Sequence, residues 1–277
     1  MHYFFRSMFC AFASGSAVAT QWRAGRRVPG VRLLVAAFVL AAVISPAAAF
    51  AQTVIATTPW TAAFADLAGA DDVELLAPYE MRHPPEYELR ATDLQRVQDA
   101  DLLVYAGYEN MMDRLQDAIG DGAVESAQIT TTYTEEYIES ETMKIASALG
   151  TEDVARERID EVRAFLDDWR EEIRELGLDS NPVIAHVHQE ELFRDLGVNI
   201  VETFGPGPLE AQQIARLSGE DPVLVLDNWH NEVSQPFAET LPDVPRVALI
   251  NFPGEDDTRT MLDVLEHNRE KTGDALR

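Results

Sequence analysis

The sequence predicts an α/β protein of two βα lobes with mainly parallel sheets, joined by one long backbone helix. Apolar runs alternate with amphipathic segments from Thr53 to about Thr130, and the alternation starts again at Pro182. Strands that alternate with helices form parallel sheets with helices on their faces. Between these stretches, from Thr151 to Leu176, apolar residues recur at the spacing of one helix face.

The first lobe is predicted from four apolar runs and the helices between them. Strands are expected at residues 53–57, 73–77, 101–107 and 127–130. The helices are expected in TPWTAAFADLAG, ATDLQRVQDA and NMMDRLQDAIG, the first and third of which end at glycine. His83 lies in the loop that follows the second strand.

The joining helix is predicted from one continuous apolar face. Its apolar residues are separated by three or four positions: Ile159, Val162, Leu166, Trp169, Ile173 and Leu176. A coiled coil would repeat this pattern over more heptads, so we expect a single helix lying along the protein body.

The second lobe repeats the alternation. Its strands are expected in PVIAHV, VNIVET, PVLVLD and RVALIN, before a closing helix in TMLDVLEHN. The predicted organisation is therefore an N-terminal extension and signal peptide (1–51), an N-terminal lobe (52–150), a linking helix (151–178) and a C-terminal lobe (179–277).

Charge and cysteine content narrow the function classes. The net charge is -26, and the first 51 residues contain arginines but no acid. Nucleic-acid binding is excluded because it needs clusters of Lys and Arg that the chain lacks. Such an acidic chain repels its own copies, so a monomer is expected. The single cysteine, Cys10, lies in the N-terminal segment, which excludes a disulfide framework and a thiolate metal site.

The N-terminal segment predicts export. An apolar run over residues 31–51 follows several arginines and ends in the small-x-small sequence Ala49-Phe50-Ala51, which predicts cleavage before Gln52 and a periplasmic location. The alternative is a membrane anchor. A spanning helix needs about 20 apolar residues, and Pro46 ends this run early.

Histidines follow two strands of the second lobe and one of the first. His186 and His188 lie at the end of PVIAHV, His230 follows PVLVLD, and His83 follows the second strand of the N-terminal lobe. Ligands of open α/β sheets bind beyond the carboxyl ends of the strands. These histidines are therefore candidate ligands.

Three stretches together resemble the solute-binding proteins of metal-uptake ABC transporters, the cluster A-I type that delivers zinc or manganese. The stretches are VIATTPWTAAFADLAG, HPPEYELRATDLQRVQDADLLVYAG, and VETFGPGPLEAQQIARL with DNWHN and LINFPG. The resemblance covers about residues 53–268. It implies two α/β lobes held by a backbone helix, a metal ion in the cleft between them, and a membrane permease as partner. It implies no enzymatic activity and no catalytic cofactor.

The resemblance also implies a set of ligands. His83 matches the first ligand of the N-terminal lobe. His186, eleven residues before Gly197, matches the usual histidine of the C-terminal lobe, although His188 is close enough to replace it. Asp227 and His230 fall near the final ligand.

One family ligand is missing. The second histidine of the N-terminal lobe maps near Thr130–Thr132, where this chain has none. His230 would supply the missing nitrogen, or an acid such as Glu136 or Glu80 would complete the shell.

The donors favour zinc, with manganese as the alternative. Zinc takes imidazole and carboxylate ligands in a tetrahedral site, whereas manganese prefers a shell richer in oxygen. A second alternative is a binding protein for a metal chelate, which predicts a cleft lined by aromatic residues or by arginines such as Arg82 and Arg90. A zinc hydrolase is the least favoured interpretation, because the chain has no His-Glu-x-x-His motif and its candidate ligands divide between the lobes.

Overall fold

The structure, a computed structural model, describes residues 52–120 and 124–277. The predicted extension, signal peptide and Cys10 lie outside the described residues. In the part that is described, no helix is both long and apolar enough to cross a membrane.

The first sheet contains four parallel strands, which are β1 (Thr53–Ala56), β2 (Asp72–Leu75), β3 (Leu102–Tyr105) and β4 (Glu125–Gln128). Their order in space is β2-β1-β3-β4. Helices α1 (Pro59–Leu67), α2 (Ala91–Asp99) and α3 (Met112–Ile119) connect them. The four predicted strands of this lobe are confirmed, although the first three are shorter than the apolar runs that predict them and the fourth begins two residues earlier than predicted, at Glu125.

Two helices follow the first sheet. Helix α4 spans Glu135–Leu149 and α5 spans Glu152–Glu175. They are separate because Gly150 adopts the left-handed conformation that ends a helix, with φ of 70°. The predicted apolar face of α5 is buried up to Ile173, whereas Leu176 caps the helix and is partly buried.

The second sheet repeats the arrangement of the first. Its strands are β5 (Val183–His186), β6 (Ile200–Phe204), β7 (Leu224–Asn228) and β8 (Arg246–Leu249). They are all parallel, in the order β6-β5-β7-β8. The remaining helices are α6 (Glu190–Asp195), α7 (Ala211–Ser218), α8 (Phe237–Thr240) and α9 (Met261–Ala275). The predicted α/β class with two parallel sheets is confirmed.

One apolar core runs through both sheets and the long helix. It includes Phe64 beside the first sheet, Trp169 on α5, and Leu226 in the second sheet. Trp169 is fully buried and meets Phe193 edge to face, with ring centroids 5.5 Å apart. Because protein interiors are close-packed, this shared core resists independent movement of the two sheets.

Candidate metal centre

The topology of the second sheet places two histidines side by side. The chain leaves β5 toward β6 on one side, whereas β7 pairs with β5 on the other. Loops that follow such neighbouring strands diverge and leave a crevice between them. His188 lies in the loop after β5, and His230 lies in the short 3₁₀ turn after β7.

These loops form one wall of a cleft of about 600 Å³, and the first lobe forms the other. The first lobe contributes Trp60, Arg82–Glu86, Tyr108 and Thr131–Tyr133. The second contributes Val187–Gln189, Glu191, Leu192, Asn228, His230, Asn231 and Ile250–Phe252. Three of the predicted ligands, His83, His188 and His230, therefore line one cleft from both sides.

His230 is the most constrained of the three histidines. Its ring is buried and stacks on Phe252, with centroids 3.5 Å apart and 24° between the planes. Burial lowers the pKa of His230 to about 3. The imidazole is therefore neutral at physiological pH, which leaves a nitrogen lone pair for a metal ion.

The surroundings of His230 act on the same pKa in opposite directions. The side chain of Asn251 raises it, whereas the charges of Arg82, His83 and His188 lower it. The buried Nδ1 of His230 and Oδ1 of Asn251 both lack a partner of good hydrogen-bond geometry among the described residues. These two atoms are natural partners after a small rotation, and such a bond would fix the orientation of the imidazole.

His186 and His188 occupy different environments although they are two residues apart. His188 is exposed and lines the cleft, whereas His186 is fully buried and does not. Nδ1 of His186 accepts a hydrogen bond of 3.1 Å from the backbone amide of His188. The other ring nitrogen faces Gly205, where a Cβ would come within 2.4 Å of it. Of the two candidates, His188 is the one that the fold presents to the cleft.

Asp227 is buried at the end of β7, but it does not line the cleft. Its carboxylate accepts hydrogen bonds from the backbone amides of Asn228, Val233 and Ser234, at 2.8 to 3.1 Å. These bonds hold the loop that carries His230. The position of Asp227 thus differs from the predicted one, because its oxygen atoms are already used by the backbone.

The two acids expected to complete the shell also lie elsewhere. Glu80 and Glu136 are both exposed, and neither lines the cleft. The carboxylates that do line it are Glu86 and Glu191, which were missed as candidates at the level of the sequence. Glu191 accepts a hydrogen bond of 2.9 Å from the Thr132 hydroxyl across the cleft. Its place in the first turn of a helix after a histidine-bearing strand end was the signal that could have revealed it.

The position where the resemblance implied a second histidine of the N-terminal lobe is itself part of the cleft. Thr131 and Thr132 line the cleft where that ligand was expected. Tyr133 follows them, and its buried hydroxyl lacks a hydrogen-bond partner among the described residues. Hydroxyl groups thus line this wall, where the resemblance implied an imidazole.

The equivalent crevice of the first sheet is closed by a buried carboxylate. Glu109 accepts hydrogen bonds from the Thr57 hydroxyl at 2.5 Å and from the backbone amides of Ala106 and Gly107 at 2.9 and 2.6 Å. These bonds tie together the loops after β1 and β3. Among the candidate metal ligands, the first lobe therefore presents only His83 and Glu86, from the loop after β2, to the cleft.

Arg82 joins the two walls at the rim of the cleft. Its Nε donates to the carbonyl oxygen of His230 at 3.3 Å, and Nη2 donates to the carbonyl oxygen of Trp229. The guanidinium also lies over the Trp229 ring, 4.7 Å from its centroid. Glu232 adds an exposed ion pair of 3.4 Å. Arg90, the other arginine considered for the cleft, does not line it.

The cleft does not hold a closed set of ligands. Within residues 52–120 and 124–277, no group of three His, Cys, Asp or Glu side chains is tight enough to hold a metal ion. The three histidines face the same space without forming such a group.

No family model and no curated protein matches the sequence. Solved structures with a similar fold include the laminin-binding protein Lmb of Streptococcus agalactiae, a bifunctional protein with adhesin and metal-transporting activity. It is 14% identical, with a TM-score of 0.64, over 82% of this chain and 100% of that one. The solute-binding protein FpvC of P. aeruginosa in complex with Ni²⁺ is 16% identical, with a TM-score of 0.60, over 81% and 96%.

A third structure is the Mn-bound periplasmic metal-binding protein of Candidatus Liberibacter asiaticus. It is 14% identical, with a TM-score of 0.60, over 82% of this chain and 100% of that one. At these identities the similarity establishes the fold. The chain has the two-lobed fold of metal-binding solute-binding proteins.

Proposed function

We propose that this chain is an extracytoplasmic solute-binding protein that captures a divalent transition-metal ion and delivers it to the permease of an ABC transporter. Zinc is the first choice of metal and manganese the second. The lobes would be residues 52–150 and 179–277, joined by the helical segment 151–178. Export, with cleavage before Gln52, belongs to the same proposal.

The observation that carries this proposal is the meeting of three histidines from two lobes in one cleft. His83 comes from the first lobe, and His188 and His230 come from the second. Burial keeps the imidazole of His230 neutral at physiological pH. Neutral imidazoles with free lone pairs are zinc ligands.

Two of these histidines are free to move toward the third. His83 and His188 are exposed, whereas His230 is held by Phe252 and by burial. Rotation of exposed side chains does not disturb the core, so a metal ion on His230 could gather the other two. A carboxylate of the cleft, Glu86 or Glu191, would then be the fourth ligand.

The protein would bind the metal ion and release it without catalysing a reaction. The similar structures are metal-binding proteins, and the candidate ligands come from opposite walls. Because the two sheets share one apolar core, release would rely on movement of the exposed His83 and His188 side chains and not on a wide opening of the lobes. The loaded protein would dock on the permease, and a separate ATPase would drive import.

The experiment is a titration of zinc and of manganese into the metal-stripped protein, with His83→Ala, His188→Ala and His230→Ala as variants. We expect one site with a preference for zinc, weakened about tenfold or more by each variant because each removes one ligand. His267→Ala is the matched control, since His267 lies on α9 and does not line the cleft. Binding that is absent, or that is indifferent to His230→Ala, would contradict the proposal.

A further inference from the structure

The metal-binding side chains of the cleft, which are His83, His188, His230, Glu86 and Glu191, do not form a closed coordination shell. Zinc needs four donors at about 2.0–2.3 Å. Within the described residues, no three ionisable side chains of the kinds that bind metals form a tight group. An ion that arrives with part of its coordination shell already filled by an organic ligand needs only one or two protein donors. His230 and the exposed His188 can provide these.

The size and lining of the cleft also exceed what an ion needs. The cavity of about 600 Å³ lies in the range of small-molecule sites, which extends from about 300 to 1,000 Å³. Trp60 forms an aromatic wall with Phe252 and Tyr108, at centroid distances of 5.1 and 6.3 Å. Tyr108 is 49% exposed. A metal ion alone would leave these aromatic side chains in contact with water. A small organic molecule in the cleft would pack against them and exclude that water.

Arg82 supplies a charged group for an anion at the same rim. Two backbone carbonyl groups of the opposite lobe fix its Nε and Nη2, while Nη1 takes part in none of these bonds. The Nη1 donors of a guanidinium held in this way suit a carboxylate. A fixed cation beside His230 repels a bare divalent ion, but it attracts a chelator that carries negative charge.

Buried polar atoms around the cleft lack partners within the protein. Among the described residues, Trp60 Nε1 and Tyr133 Oη are buried and have no hydrogen bond. Both side chains line the cleft. Buried polar groups in native proteins are nearly always hydrogen-bonded to the protein, to water or to a ligand. A ligand with several oxygen or nitrogen atoms would offer partners to these groups.

We infer that the cargo of this cleft is a divalent metal ion already complexed by a small carboxylate chelator. This inference rests on the proposed function and specifies its substrate class. His230 and His188 bind the metal, Nη1 of Arg82 binds a chelator carboxylate, and the wall formed by Trp60 and Tyr108 covers the organic part. An aminocarboxylate and a hydroxycarboxylate share this chemistry.

The experiment is a calorimetric titration of zinc into the metal-stripped protein, which gives the apparent zinc affinity under three conditions. Zinc is titrated alone, with excess L-histidine, and with excess citrate. At a bare-ion site, each chelator competes with the protein and weakens binding. At a chelate site, the matching chelator strengthens it, and we expect about tenfold. The two chelators separate the aminocarboxylate from the hydroxycarboxylate source.

Variants test the two contacts that are specific to the chelator. Arg82→Gln and, separately, Tyr108→Ala should each reduce the ratio of chelate affinity to bare-zinc affinity by about tenfold. Glu232→Gln is the matched control, because it removes an exposed partner of Arg82 that does not line the cleft. Circular dichroism verifies that each variant is folded, and Tyr108, being half exposed, can be shortened without opening the core.

The outcomes distinguish this inference from the proposed function. If both chelators weaken zinc binding, the inference is overturned while metal capture stands. The same holds if Arg82→Gln and Tyr108→Ala leave the ratio unchanged, or if the chelators bind equally well without zinc. If zinc binds in no form, or binds independently of His230, the proposed function itself fails.

Discussion

The backbone amide of His188 donates a hydrogen bond to Nδ1 of the buried His186, 3.1 Å away. This bond gives the two neighbouring histidines different tasks. The buried His186 ring binds the backbone of the turn after β5. The side chain of His188, in the same turn, lines the cleft. A buried imidazole is thus used as a scaffold for the exposed one.

We predict that His188→Ala and His186→Ala affect different properties. His188→Ala should weaken zinc binding about tenfold or more and change stability by less than about 0.5 kcal/mol, since exposed residues contribute little. His186→Ala should cost about 2–3 kcal/mol, because it leaves a buried cavity and an unpaired amide. Zinc titration and urea unfolding of both variants measure these effects. Unchanged zinc binding in a folded His188→Ala variant would remove His188 from the ligand set.

We predict a stability change with pH that originates at His186. Burial, followed by the charge of His188, lowers the pKa of His186 from 6.5 to about 4, while Asp227 opposes the shift. Between pH 6.5 and about 4, the imidazole of His186 is protonated in the unfolded chain but stays neutral in the folded protein. The stability is therefore fully present above pH 6.5 and is lost as pH falls toward about 4, by about 3 kcal/mol.

Urea unfolding of the metal-stripped protein between about pH 7.5 and pH 4.5 measures this loss. Carboxylates also titrate in this range, so the comparison is with His186→Gln, which cannot be protonated. Between these two pH values, the free energy of unfolding of the variant should fall by about 2–3 kcal/mol less than that of the wild type. Equal pH dependence of the two proteins would show that His186 is not the origin.

We predict that Asp227→Ala destabilises the protein and weakens metal binding without removing a ligand. Three backbone amides lose their acceptor, at a cost of about 3 kcal/mol. The loop that carries His230 loosens as a result. The control is Asp243→Ala, an exposed acid of the same lobe. If zinc affinity falls more than tenfold while stability is unchanged, Asp227 acts directly on the metal.

We predict opposite results for two neighbouring glycines. Gly205 has φ of 83°, and a Cβ there would lie 2.4 Å from Nε2 of His186. Gly205→Ala should therefore cost about 2–4 kcal/mol through backbone strain and a displaced imidazole. A methyl group on Gly207 would meet no atom within 4 Å, and Gly207 has no positive φ. Gly207→Ala should change the unfolding free energy by less than about 1 kcal/mol, and a large effect there would contradict the local geometry.

Much of the candidate site was predictable because it depends on strand ends. His188 and His230 follow apolar runs, and the rule that ligands bind beyond the carboxyl ends of parallel strands applies to both. Asn251 follows β8 in the same way and also lines the cleft. It was missed because an amide carries no metal-binding signal in a sequence.

Three predicted ligands that do not line the cleft, Asp227, Glu80 and Glu136, were chosen by residue type and spacing alone. Asp227 is an acid next to a strand end, yet its oxygen atoms bind backbone amides. Glu80 and Glu136 lie close in sequence to residues that line the cleft, yet neither of them lines it. Spacing along the chain does not specify which side of a turn a side chain occupies.

The sequence by itself determined the two parallel lobes, the helix that joins them and the loops that hold the histidines. Those features follow from local periodicity, because an apolar run and an amphipathic helix each need only their own residues and one buried face. Only the tertiary structure decided that His188 and not His186 faces the cleft, that Glu86 and Glu191 are its acids, and that Arg82 bridges its rim. These positions depend on the hydrogen-bond partner that each polar group meets when distant segments pack together. Burying an unpaired polar group is costly, and its partner can lie anywhere along the chain.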